Sequence, residues 1–274
     1  MIGQTMFRVL AQRTGWEVCG SVRNPANGTF ARPDALVTGV DLSNPDQLCG
    51  LFRRIQPDVV VNCAGLTKHV AGGNDPVPAM TMNALLPHRL ADLCAVACAR
   101  LIHVSTDCVF AGFAGNYREE DAPDARDVYG RTKAMGEVTG DHVVTLRTST
   151  IGHENGSSLG LVEWFLRQSE CKGFRRAIFS GLPTVEFARV VRDIVVPEQS
   201  LHGLYHVGAA PIDKFSLLVL ISQVYGLKTS IVEDDTFRID RSLNVDRFAA
   251  AAGYRAPPWP DLVQAMYNDH FSGK

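Results

Sequence analysis

Short apolar runs alternate with amphipathic stretches through the first half of the chain. Glu17–Arg23 and Ala35–Val40 read as strands. Pro45–Ile55 carries apolar residues at helical spacing, and either Ser43 or Asn44 suits its N-cap. Asp58–Asn62 is a continuous apolar run, as buried parallel strands tend to be. Pro78–Ala99 is mostly helical, Leu101–Ser105 is a strand, Val128–Val138 a helix and His142–Arg147 a strand. Repeated βα units predict an α/β fold, a doubly wound parallel sheet with ligands at the carboxyl ends of its strands. The second half is less regular. It predicts helices over Ser158–Gln168, Thr184–Ile194 and Ile212–Tyr225, the last started near Asp213, and a strand over Gly203–Val207. Two short helices, Val245–Ala252 and Asp261–Asn268, flank Pro257-Pro258-Trp259-Pro260.

The 274 residues suit one large or two small domains, and a hydrophobic fraction of 46% supplies a substantial core. With 27 basic and 29 acidic residues, the net charge of −2 gives no electrostatic reason to expect nucleic acid or a membrane surface as partner. No run of about 18 apolar residues predicts a membrane span, and no secretory signal is visible. The seven cysteines lack close pairs, which argues against a disulfide framework or a zinc site, and no metal is expected. Cys94 and Cys98 read as small core residues of a helix. A reducing cytoplasm fits this usage.

Chemistry concentrates between Val104 and Lys133. The strand ends in Ser105-Thr106-Asp107, and Tyr129 and Lys133 follow at a spacing that puts them on one helix face. A hydroxyl, a phenol and an ammonium together can deliver a proton to a carbonyl oxygen. On this reading the cation favours the phenolate and lowers the Tyr129 pKa. An isolated Tyr-x-x-x-Lys is more often a solvated helix face; the strand before it gives this one its weight.

Ser105-Thr106-Asp107-Cys108-Val109-Phe110-Ala111-Gly112 and Tyr129-Gly130-Arg131-Thr132-Lys133-Ala134-Met135-Gly136-Glu137 resemble the extended short-chain dehydrogenase/reductases. Within them the chain is most similar to the dTDP-4-dehydrorhamnose reductase family of nucleotide-sugar 4-keto reductases. Cys108 departs from the Tyr common in that family. Gly181-Leu182-Pro183-Thr184 and Gly203-Leu204-Tyr205-His206-Val207 match later landmarks. The resemblance implies a cofactor domain over residues 1–150 and 184–208, and a substrate lobe over 151–183 and 209–274.

The resemblance also implies a reductase that moves hydride to the 4-keto carbon of a nucleotide-linked deoxysugar, in cell-surface polysaccharide or secondary-metabolite sugar synthesis. Tyr129 would be the proton donor and Lys133 its partner, which also holds the nicotinamide ribose. Thr106 would hold the carbonyl oxygen, with Ser105 sharing the role. Arg241 is a candidate for the substrate diphosphate, or a surface ion pair with Asp240 or Asp246. Lys68 and His69 could face substrate. A nucleotide-sugar epimerase or dehydratase is one alternative, weakened because no Asp-Glu pair follows Thr106. A non-catalytic cofactor-binding regulatory subunit is another. A homodimer stays open.

Cofactor contacts by resemblance are Gly3, Arg23, Asp41, Leu42, Cys63, Ala64, Gly65 and Asn83, with Tyr129 and Lys133. Arg23, at a strand end, would favour the 2′-phosphate of NADPH over NADH, or simply be solvated. Asn83 could instead make a helix–helix hydrogen bond. Met1-Ile2-Gly3 looks like the last glycine of the dinucleotide-binding turn and the start of its helix. The expectation is therefore a sheet lacking its first strand, from a longer protein or from a variant that has lost cofactor binding.

Overall fold

The computed structural model describes residues 1–24, 32–68, 73–154 and 160–271. Helix α1 spans Ile2–Leu10, and β1 (Gly20–Val22) pairs in parallel with β2 (Leu36–Thr38). Helix α2 (Pro45–Ile55) follows. Asn44 is its N-cap, accepting from the Asp46 and Gln47 N–H groups, and Pro45 opens the first turn, where it loses no hydrogen bond. Strand β3 (Val59–Asn62) leads to a long helix over residues 76–96, α3, which contains a π-helical turn, Met80–Leu85. Strand β4 is Arg100–Thr106, α4 Val128–Met135 and β5 Val143–Thr148.

The chain continues through β6 (Thr150–Ile151), α5 (Leu161–Phe165), β7 (Glu170–Phe179), β8 (Leu182–Pro183) and α6 (Thr184–Val190). Strand β9 is Gly203–His206 and β10 Ile212–Asp213; α7 is Lys214–Tyr225, β11 Ser230–Asp240, α8 Asp246–Ala252 and α9 Trp259–Phe271. The main sheet runs β3-β4-β5-β9, all parallel. Helices cover both faces. Leu146 and Val104 pack with Phe187, Leu217 and Met266, while Leu101 and Val143 pack with Leu48, Leu86 and Leu90 on the other side. Each fully buried Leu or Phe is worth about 1.5–3 kcal/mol.

The expected α/β fold is present, and so is the expected gap. β1 and β2 form their own two-stranded sheet, and among the described residues no strand joins β1 to β3. The edges of β1 and β3 thus lack the ladder partner that a continuous doubly wound sheet would supply.

Two long strands escape the sequence pattern. β7 and β11 pair in parallel, with a register shift between Asp234 and Arg238, and β10 joins β7 antiparallel. They carry charges that pair across the ladder, Lys172 with Asp234 at 2.8 Å and Arg175 with Glu233 at 2.6 Å. Such charged alternation lacks the apolar runs that mark the buried strands of the main sheet. The expected helix from Ile212 begins instead at Lys214, because Ile212–Asp213 is spent on the sheet and Asp213 caps the helix through the Ser216 N–H. The first residues of the helix expected over Ser158–Gln168 lie outside the described residues. Cys94 is buried in the core, but Cys98 is exposed with φ 53°, past the end of α3, so only one of the two is a core residue.

Candidate active site

Parallel pairing brings the carboxyl ends of β3, β4 and β5 side by side, and the Thr106 hydroxyl stands at the end of β4. It accepts from the Cys108 N–H at 3.1 Å and donates to Asp107 at 3.2 Å. Asp127 caps α4 through the Gly130 N–H at 2.7 Å, which starts the helix so that Tyr129 lies in its first turn. Two glycines seat that helix. A side chain at Gly130 would collide with the Cys108 backbone oxygen, and one at Gly136 with the Asn83 backbone oxygen.

Thr106, Asp107, Cys108 and Tyr129 form one electrostatic cluster. Burial, then the neighbouring Cys108 and Asp107, push the Tyr129 phenol above its ordinary value, and the Thr106 hydroxyl is what draws it down. This reverses the expectation that Lys133 lowers it. The Lys133 Nζ is turned to the β4 backbone, donating to the Val104 carbonyl at 2.7 Å, with His103 Nε2 at 3.4 Å. Burial dominates at Tyr129, and the Lys133 side chain one turn along is engaged elsewhere.

Ser105 also departs from expectation. Successive strand residues point to opposite faces, so Ser105 cannot share the outlook of Thr106. Its hydroxyl donates to Glu137 at 2.7 Å. Glu137 is in turn clasped by Arg147 through two bonds of 2.7 Å, and Arg147 lies 3.2 Å from His206 Nε2. Ser105 therefore belongs to a buried structural network rather than beside a substrate carbonyl.

Arg241 converges on the cluster from beyond β11. Its Nε donates to the Phe110 carbonyl at 2.7 Å, Nη1 lies 3.6 Å from Cys108 Sγ, and its charge lowers the Asp107 carboxyl against the upward push of burial. The acids considered as its surface partners are engaged otherwise: Asp246 pairs with Arg255 at 3.3 Å, and Asp240 accepts from the Ser242 N–H at 2.9 Å. Lys214, not foreseen from the sequence, faces the same group. Its ammonium lies 4.2 Å from the Phe179 ring centre, and burial pulls its pKa down to about 8 against the opposing pull of Asp107 and Cys108. As the first residue of α7, directly after the cap Asp213, it read as an ordinary helix start. Lys68 is exposed but close enough to lower the Cys108 thiol, which burial pushes up to about 12. His69 lies outside the described residues.

The expected cofactor residues fall into two groups. Gly3 is exposed in the first turn of α1, and a Cβ there would meet only Cys63 Cβ, at 3.7 Å. Met1 gives α1 no side-chain cap, and among the described residues none caps its first turn; helix starts of this kind suit anions. Arg23 is exposed near Asp41, whose carboxylate is held down first by Ser43 and also by that guanidinium. Gly65 is exposed beside these strand ends, and the Ala64 N–H donates to Asn62 Oδ1 at 3.0 Å. The second group is structural. Leu42 packs into the core beneath β3. Asn83, fully buried in the π-helical turn, bonds both backbone groups of Leu66 (2.8 and 2.9 Å) and the Thr132 hydroxyl (3.1 Å). It clamps the loop after β3 to α4, the helix–helix alternative extended by a loop, and its amide is spent there rather than on a cofactor.

A hydroxyl, a phenol and clustered cations thus gather at the carboxyl ends of a parallel sheet. Residues 1–233 match the family described as RmlD substrate binding domain, and the chain belongs to that family. It is 27% identical over 235 residues to the spore coat polysaccharide biosynthesis protein SpsK of Bacillus subtilis, covering 81% of this chain and 82% of that one. It is 26% identical to the dTDP-4-dehydrorhamnose reductase of Aggregatibacter actinomycetemcomitans, over 63% of this chain and 62% of the relative. Among solved structures, the dTDP-4-dehydrorhamnose reductase of Bacillus anthracis in complex with NADP superposes with a TM-score of 0.75 at 20% identity, over 86% of this chain and 90% of that one, which shows the shared fold. No described helix is long and apolar enough to cross a membrane.

Proposed function

We propose that the protein is an NADPH-dependent reductase of a 4-keto group on a nucleotide-linked deoxysugar, acting in the cytoplasm. The observation that carries this reading is the convergence of Thr106 and Tyr129 with Arg241 and Lys214 on the Asp107-Cys108 turn. A neutral phenol and a hydroxyl suit a ketone oxygen, while two cations suit the diphosphate of an activated sugar. Family membership and the named reductase relative support the same assignment.

The residues present fit a dinucleotide. A helix start without a side-chain cap, with Gly3 exposed in its first turn, accommodates a pyrophosphate, and Arg23 offers a charge for a 2′-phosphate. The nicotinamide supplies hydride when bound. Tyr129 gives its proton to the carbonyl oxygen, which the Thr106 hydroxyl orients, and its raised pKa keeps it protonated until then. Arg241 and Lys214 hold the anionic end of the substrate. NADH is the alternative cofactor. The proposed division of labour sets residues 1–150 and 184–208 around the cofactor and 151–183 and 209–274 around the sugar. Pairing of β9 with β5 supports the return of the later segment to the main sheet.

The test is turnover. Purified protein should consume NADPH with dTDP-4-dehydrorhamnose and yield the reduced sugar. Saturable binding of both compounds without any reduction would replace this reading with the regulatory-subunit one.

A further inference from the structure

The bonds around Lys133 can be assigned a direction, one atom at a time. The Ala64 N–H can only donate, and it donates to Asn62 Oδ1 at 3.0 Å. That fixes the Asn62 amide with Nδ2 toward His103 Nδ1, also at 3.0 Å. An amide nitrogen only donates, so Nδ1 accepts, and in a neutral imidazole the proton then sits on Nε2. His103 is fully buried, and that burial above all holds its pKa well below the usual range, so the ring stays neutral. Its Nε2–H therefore faces Lys133 Nζ at 3.4 Å. An ammonium has no lone pair to receive that hydrogen, whereas an amine has one and keeps a hydrogen for the Val104 carbonyl at 2.7 Å.

We infer that His103 is a positioning residue that, as its Nε2–H tautomer, holds Lys133 in the amine form against the β4 backbone. Protonating Nζ turns the contact from attractive to repulsive and frees the side chain toward Tyr129, one helical turn away. The proton comes from solvent, and no bond other than N–H forms. This rests on reading Tyr129 and Lys133 as the reactive pair.

The surrounding charges agree. Burial draws the Lys133 pKa down to about 8, while Glu137, just past the end of α4, and Cys63, just past β3, act to raise it. The Cys63 thiol is itself pushed up to about 12 by burial, with Lys133 and the Met1 amino group opposing, so it stays neutral across the working range. With a folded pKa near 8, Lys133 is charged and releasable below that pH and locked above it.

Two experiments decide this, one of them independent of turnover. In 15N-histidine-labelled full-length protein without substrate, long-range 1H–15N spectra should show His103 protonated at Nε2 and bare at Nδ1 from pH 6 to about 9. Its ring resonances should shift with a midpoint near pH 8, and that step should vanish in Lys133→Met. An Nδ1–H tautomer, the absence of the step, or its survival in Lys133→Met would overturn the inference even if the substrate assignment were wrong. In the reductase assay, His103→Phe and His103→Gln should move the basic limb of kcat/KM up by about one pH unit. A limb that stays put in folded variants overturns it too.

Discussion

The two halves of the parallel architecture differ in thickness. All six residues of β5 are buried, with β4 on one side and β9 on the other. β1 and β2 are three residues each, pair only with one another, and contain no fully buried position. Thr106 and the helix bearing Tyr129 sit on the thick half, while Arg23 and Asp41 follow the strands of the thin one. On the proposed reading, chemistry that tolerates little displacement is built on the broader sheet, and recognition of the adenosine end on the two-stranded margin.

The largest effect is expected at the thick half. Tyr129→Phe removes only the phenolic proton and should lower kcat about 10²–10⁴-fold. Its melting temperature should match the parent, so a drop in both would mean that the phenol is structural.

Stability should divide the same way. The Arg147–Glu137 pair is held at 2.7 Å with side chains 3% and 11% exposed. Glu137→Ala strands the guanidinium and should cost about 3–5 kcal/mol in urea unfolding. Asp41→Ala, on the thin half, should cost under about 1 kcal/mol. Similar costs at the two sites would erase the distinction.

Amide exchange sharpens the comparison without mutation. The amides of Val143–Thr148 should exchange near the global unfolding limit, and those of Gly20–Val22 at least about a hundredfold faster. Uniform protection would show that the two sheets open together.

The smallest expected effect concerns the cofactor phosphate. Arg23→Asp should weaken NADPH binding about tenfold more than NADH binding, since a base facing the 2′-phosphate becomes a like charge. Calorimetric titration of both cofactors checks this. Equal losses would leave Arg23 as a solvated strand end.

The sequence disclosed the buried parallel strands and the capped helices because periodicity and capping act locally. Asn44 and Asp213 announce their helices by side-chain bonds to the next turn. It also disclosed the Thr106–Tyr129 pair and the gap beside β3. What it hid depends on distant partners. His103 lies within an apolar strand and looks like a packing residue until Asn62 and Lys133, 41 and 30 residues away, are seen on its two nitrogens. Lys214 acquires its meaning from Asp107 and Phe179, both remote in sequence. The facing of Ser105, by contrast, could have been read, since two neighbouring strand residues cannot share one side.

The glycine seats of α4 carry a consequence for anyone who would reshape this protein. Gly130 directly follows Tyr129 and Gly136 comes three residues after Lys133, and each lies where an added carbon would strike backbone rather than a movable side chain. The helix is keyed into its socket by two absences, so its pitch and depth cannot drift by small substitutions. Directed evolution toward new sugars should leave those two codons alone and diversify Cys108, Lys214 and Arg241, which meet at the Asp107-Cys108 turn from three separate segments.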